Sequence, residues 1–130
     1  MNVESRRSRR YADFLPISVS VQSNDDGSRV AGPLSARIID LSKNGACLLL
    51  TQVMMQSFHI FHSTRDNECI DLVLHINIPS RPDTLEILAQ PIWLNAAKLE
   101  DIKVFKMGVD FIRTLDDDLL QDLNKIINNT

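Results

Sequence analysis

Hydrophobic and polar residues alternate along most of the chain. The clearest run lies between Cys69 and Ile78, where isoleucine or leucine fills every second position. Alternation with a period of two is typical of a β-strand that buries one face. Similar alternation, or a short apolar run, predicts five further strands, at residues 17–22, 34–38, 46–51, 85–95 and 102–112.

The period changes near residue 115. Apolar residues there recur every three or four positions, which predicts a helix over about 115–129. Asp116, Asp117 and Asp118 fall in its first turn, where negative charge interacts favourably with the helix dipole. Thr114 or Asp116 is expected to cap the helix. The apolar helix positions are Leu115, Leu119, Leu120, Leu123, Ile126 and Ile127.

Three places interrupt the strand pattern. Pro91 lies inside a predicted strand and indicates an edge or a bulge. Gly108 indicates a bend or a close backbone approach. Residues 52–67 permit either a helical turn or two, or a loop that covers the core. About six strands and one helix indicate an all-β fold, a six-stranded antiparallel β-barrel flanked or plugged by the C-terminal helix.

The charge of the chain is unevenly distributed. The net charge of the 130 residues is −3, yet four of the fourteen Lys and Arg residues lie between Arg6 and Arg10. A net negative chain argues against binding to a nucleic acid polymer or to a membrane surface, and the local positive charge suits a small anion. No apolar run approaches the roughly 20 residues of a membrane span, so membrane insertion is not expected. Without a secretory segment or a cysteine framework, we expect a cytoplasmic protein.

The functional prediction depends on two short motifs. The first is Arg6-Arg7-Ser8-Arg9-Arg10, an RxxxR spacing just before the first strand. The second is Asp40-Leu41-Ser42-Lys43-Asn44-Gly45, a DxSxxG turn between the second and third strands. In this order and at this separation, the pair resembles the PilZ domain, the bacterial receptor module for cyclic di-GMP. The resemblance continues through KMGVDFI and the terminal helix, so it covers nearly the whole chain.

The resemblance implies a set of ligand-binding residues. Arg6 and Arg10 match the two arginines of the family motif, and Arg7 adds charge beside them. Arginine forks pair with phosphate oxygens or with guanine O6 and N7, and their flat faces stack on purines. The family's turn is matched by Asp40, Ser42 and Gly45, with the carboxylate suited to the donor edge of guanine. Residues 1–12 would form a flexible arginine-rich ligand-binding arm, and residues 13–130 the barrel domain.

The implied function is that of a cyclic di-GMP-binding effector or adaptor. Ligand binding would order the arm and signal to an unidentified downstream protein that controls motility, adhesion or exopolysaccharide. The chain has no nucleophile–base pair and no cofactor fingerprint, so we expect neither an enzyme nor a cofactor beyond this regulatory ligand. A monomer or a weak homodimer is expected. The number of ligand molecules at the site stays open, because the family binds either a single molecule or a mutually intercalated pair.

Two other functional interpretations of the chain also stay open. One is a nucleotide-independent interaction module of the same fold, which would use residues 52–67 or the terminal helix. Another is a small RNA-binding barrel whose arginines contact phosphates. His59, His62, His75 and Cys69 lack the paired close spacings of a zinc site, so no metal is expected.

Overall fold

Six antiparallel strands close into a barrel, which confirms the predicted fold class. The computed structural model describes residues 10–55 and 57–128. Around the barrel the strands follow the order β1-β2-β3-β8-β7-β6. The elements are β1 (Leu15–Ser23), β2 (Arg29–Leu41), β3 (Gly45–Leu50), β4 (Met54–Met55), β5 (Phe58–His59), β6 (Ile70–Ile76), β7 (Leu85–Leu99), β8 (Ile102–Phe111) and α1 (Asp117–Asn128).

Alternate residues of the six long strands fill the barrel interior. Val19, Ile38, Leu48 and Leu74 are completely buried there, as the period-two pattern predicted. The same core includes Leu123 of α1. The helix therefore closes the end of the barrel at which β8 finishes and the β2–β3 turn lies.

Residues 52–67 cover the opposite end of the barrel. The described part of this segment forms the small β4–β5 hairpin and single hydrogen-bonded turns, rather than a helix. Ile60 and Phe61 from this segment are buried in the main core. Of the two predicted alternatives, the covering loop is the one that forms.

Strand β7 is longer than predicted, and Pro91 within it marks a bulge. β7 does not stop near Asn95 but runs on to Leu99, because Ala96 and Ala97 continue the pairing with β8 up to a tight hairpin turn. The two residues of that turn, Glu100 and Asp101, have φ angles of 52° and 65°. The barrel is closed, so Pro91 does not lie on an edge strand; the register of β7 shifts just after it, which is the predicted bulge.

The start of the helix follows its capping residue. The backbone N–H of Leu119 donates to Oδ1 of Asp116 at 2.8 Å, so Asp116 is the cap and Thr114 is not needed for it. The helix begins at Asp117, two residues later than the apolar spacing indicated, because the buried Leu115 belongs to the connection that precedes the cap.

Candidate functional site

The DxSxxG motif forms the tight turn between β2 and β3. Both the backbone N–H and the hydroxyl of Ser42 donate to the carbonyl oxygen of Gly45, at 2.9 and 3.3 Å. The carbonyls of Lys43 and Asn44 accept backbone N–H groups of Leu115 and Phe111 at 2.9 and 2.8 Å. These contacts fix the turn to the chain that connects β8 to α1, so its position on the barrel is well determined.

Gly45 is required by the spacing of the strands. A Cβ at this position would overlap the carbonyl oxygen of Val109 on the neighbouring β8. Gly45 is not among the described glycines with positive φ, which are Gly27 and Gly32. A close backbone approach, rather than a positive φ, is therefore what requires a glycine at this position.

A bulge in β2 brings Asp40 onto the outer face of the barrel. Ile38 pairs with Leu48, but the next pair along the ladder joins Asp40 to Cys47, so β2 carries one extra residue here. An extra residue of this kind turns the following side chains relative to the ladder. As a result, Asp40 is exposed and lies beside the half-buried Cys47.

A pocket of about 290 Å³ lies on this outer face, across β2, β3, β8 and β7. Asp40, Ser42 and Gly45 line one side of it. Trp93 and Asp110 line other parts of the wall. The structure therefore brings together the three site residues that were predicted on the turn.

The electrostatic surroundings of this pocket are mixed. Burial raises the pKa of the Cys47 thiol, the nearby Lys106 lowers it, and Asp40 raises it again. Two exposed carboxylates, Asp40 and Asp110, border the pocket. A ligand with hydrogen-bond donors on one side therefore suits these residues, whereas phosphate groups need additional cations.

Arg10 lies at the other end of the same outer face. Its Nε is 3.0 Å from Oε2 of Glu100, in the turn of the β7–β8 hairpin. The turn that Arg10 contacts is followed by Ile102, the first residue of β8. Gly108, which pairs with Trp93 at the pocket, lies six residues farther along β8, about 20 Å away. Arg10 thus does not contact the pocket in this conformation. Arg6 and Arg7 lie outside the described residues.

The chain after Arg10 is attached to the barrel by several contacts. Residues Tyr11–Asp13 form a single 3₁₀ turn, in which Asp13 Oδ2 accepts the backbone N–H of Arg10 at 2.8 Å. Arg37 donates to the carbonyl of Phe14 at 3.0 Å, and its guanidinium lies 5.1 Å from the centre of the Tyr11 ring. Phe14 lines the same surface groove as Ile39, the residue before Asp40. Residues 10–14 therefore cross the face that carries the pocket.

Sequence reasoning did not place Trp93 and Asp110 in the site. They join it only through strand register, because Gly108 on β8 pairs with Trp93 on β7, and Asp110 pairs with Gly45 on β3. The usable signal was a tryptophan just after the bulge at Pro91 that faces a glycine on the next strand. The alternation alone does not reveal which residues share a row.

Residues 10–55 and 57–128 contain no group of three His, Cys, Asp or Glu side chains arranged to hold a metal ion. The rings of His59 and His62 are 4.4 Å apart, but Nδ1 of His59 already accepts backbone N–H groups. None of the helices formed by the described part of the chain is long and apolar enough to span a bilayer.

Comparisons with protein-family models, with curated proteins and with solved structures found no match to this chain.

Proposed function

We propose that the protein is a cytoplasmic cyclic di-GMP-binding effector with no enzymatic activity. The observation that carries this proposal is the DxSxxG turn itself. Its Asp40 and Ser42 line one pocket on the outer barrel face, and hydrogen bonds to the segment before α1 hold the turn in place. A preorganised site of this kind reduces the ordering cost of binding a ligand.

The chemistry of the pocket suits the guanine part of the ligand. Guanine presents N1–H and the N2 amino group as donors on one edge, and an ionised carboxylate such as Asp40 has only acceptors. Ser42 adds a hydroxyl near the turn, and Gly45 keeps the two strands close enough to form that turn. The two phosphates would be paired by arginines, for which Arg6, Arg7 and Arg10 are the candidates.

Arg10 would act through a change of partner. Its ion pair with Glu100 is exposed, with 74% and 39% of the two side chains accessible to solvent. Exposed pairs contribute at most about 1 kcal/mol, so a bound phosphate competes well with the Glu100 carboxylate. Residues 10–14 would then shift on the outer face and alter the surface that a downstream protein contacts.

Calorimetric titration with cyclic di-GMP tests the proposal. We expect a dissociation constant in the micromolar range or tighter for the intact chain. Each of Asp40→Ala and Arg10→Ala removes a charge-assisted contact worth about 1.5–3 kcal/mol, so affinity should fall by roughly 10- to 100-fold. Asp25→Ala and Arg113→Ala are matched controls, because both residues are exposed and do not line the pocket. These controls should bind like the parent chain.

Two results would count against the proposal. The first is the absence of heat with the intact, folded chain, which favours a nucleotide-independent interaction module. The second is an equal loss of affinity in the control variants and in Asp40→Ala, since this indicates a non-specific charge effect. At 150 mM salt, interactions between exposed charges are screened beyond about 8 Å. A single-stranded RNA of mixed sequence, titrated in parallel at this salt concentration, should therefore give no comparable heat.

A further inference from the structure

Trp93 is the only tryptophan of the chain, and 40% of it is exposed. The neighbouring Ile92 is 42% exposed, so two consecutive apolar residues of one strand face solvent at the pocket. We propose that the Trp93 indole is the surface on which a guanine base of the ligand stacks. This inference rests on the proposed function and adds to it the residue that holds the base.

The indole is seated on the barrel by a glycine. The position that a Cβ of Gly108 would occupy is filled by Nε1, Cε2 and Cζ2 of Trp93. The shift in register after Pro91 sets Trp93 directly opposite Gly108. A ring fixed in this way loses little rotational freedom when a ligand binds to it, which favours stacking.

Asp40 and Trp93 belong to the same row of cross-strand pairs. Asp40 pairs with Cys47, Cys47 with Gly108, and Gly108 with Trp93. Because the indole reaches back over Gly108, two strand spacings separate it from Asp40, about 10 Å. The residue between them is Cys47, whose side chain is small. A flat base lying across Cys47 can therefore contact the indole and direct its donor edge towards the Asp40 carboxylate.

Simple packing accounts for only part of this arrangement. Covering a glycine with an aromatic side chain from the next strand stabilises a sheet by itself. It does not explain why the exposed part of the indole borders a pocket that also contains two carboxylates. Guanine combines a flat aromatic surface with a donor edge, and the pocket offers a partner for each.

The single tryptophan makes this inference directly measurable. Intrinsic fluorescence of the intact chain reports Trp93 alone, so stacking of guanine should quench it in parallel with the calorimetric binding curve. Trp93→Leu keeps an apolar side chain but removes the stacking surface, and should weaken binding roughly 5- to 100-fold. Trp93→Phe keeps a smaller ring and should lose less affinity. Ile92→Ala is the matched control, because it removes an equally exposed neighbour.

The possible outcomes separate this inference from the proposed function. Saturable heat with unchanged tryptophan fluorescence, or parental affinity in a folded Trp93→Leu variant, overturns the stacking role and leaves the proposed function intact. An equal loss in Ile92→Ala and Trp93→Leu also overturns it, because the effect would then be general burial of apolar surface. No heat with the intact chain overturns both. The inference is supported if quenching has the same midpoint as the heat and if affinity decreases in the order parent chain, Trp93→Phe, Trp93→Leu.

Discussion

Gly45→Ala should destabilise the barrel and disrupt the binding turn. The added Cβ would overlap the carbonyl oxygen of Val109, a backbone atom held in the β3–β8 ladder. The overlap can be relieved only if the two strands separate at the residue that closes the turn. Inserting an extra carbon into a packed site costs about 1–3 kcal/mol. The smaller entropy of the unfolded alanine chain offsets about 0.4–1 kcal/mol of that cost.

Taken at the middle of these two ranges, the net loss of unfolding free energy is about 1.3 kcal/mol. With a urea m-value of about 2 kcal/mol/M, the unfolding midpoint should fall by roughly 0.6 M. Urea denaturation followed by far-ultraviolet circular dichroism measures this shift. Cyclic di-GMP affinity should fall as well, because Ser42 donates to the same Gly45 carbonyl that the strand movement displaces.

Gly108→Ala is the matched comparison for this prediction. Its added Cβ meets the side chain of Trp93 rather than the backbone, and an exposed indole can rotate towards solvent. We therefore expect a smaller loss of stability than in Gly45→Ala, accompanied by a red shift of the tryptophan emission. An unchanged or higher urea midpoint for Gly45→Ala would refute the reasoning from backbone overlap. So would a larger loss for Gly108→Ala.

Three further predictions concern the rest of the barrel. Asp101→Gly should raise the thermal midpoint by a few degrees, because it removes the cost of about 1–2 kcal/mol that a side chain incurs at a φ of 65° and adds only about 0.4–1 kcal/mol of unfolded-chain entropy. Calorimetry that shows a lower midpoint would contradict this. Burial and the nearby His62 lower the pKa of His59, whose neutral Nδ1 accepts two backbone N–H groups. The contribution of His59 to the free energy of unfolding should therefore be fully present above pH 6.5 and be lost as the pH falls through the lowered pKa. A urea midpoint equal at pH 7.5 and 5.5, or a decline retained in full by His59→Gln, would show that His59 is not responsible. Leu123→Ala should cost about 2–5 kcal/mol in urea denaturation, since this residue of α1 is completely buried, whereas Asn124→Ala on the same helix should cost far less.

The strands were predictable because their signal is local. A period of two specifies which residues point inward, and Leu72, Leu74 and Ile76 do so as expected. The continuation of β7 to Leu99 was missed because Ala96 and Ala97 have little preference for strands. It is set by pairing with β8, which is a tertiary interaction.

The candidate site was only partly predictable, for a related reason. The turn residues Asp40, Ser42 and Gly45 are adjacent in sequence, and they do line one pocket. Trp93 enters that pocket through strand register, and register depends on the bulge after Pro91. The contact between Arg10 and Glu100 depends on the length of the β7–β8 hairpin, which no local pattern specified.

The position of Arg10 limits how the proposed switch could work. Exchanging its exposed ion pair with Glu100 for a phosphate contact gains about 1–2 kcal/mol, the difference between a charge-assisted hydrogen bond and a surface ion pair. Tyr11–Asp13 are already ordered in their turn, so fixing them in a second position costs little further backbone entropy. In the proposed complex Arg10 would therefore contribute about 1–2 kcal/mol, and the rest of the binding energy would come from the row that runs from Asp40 to Trp93. A gain of this size suits a switch, because a small difference in contacts changes the position of the arm.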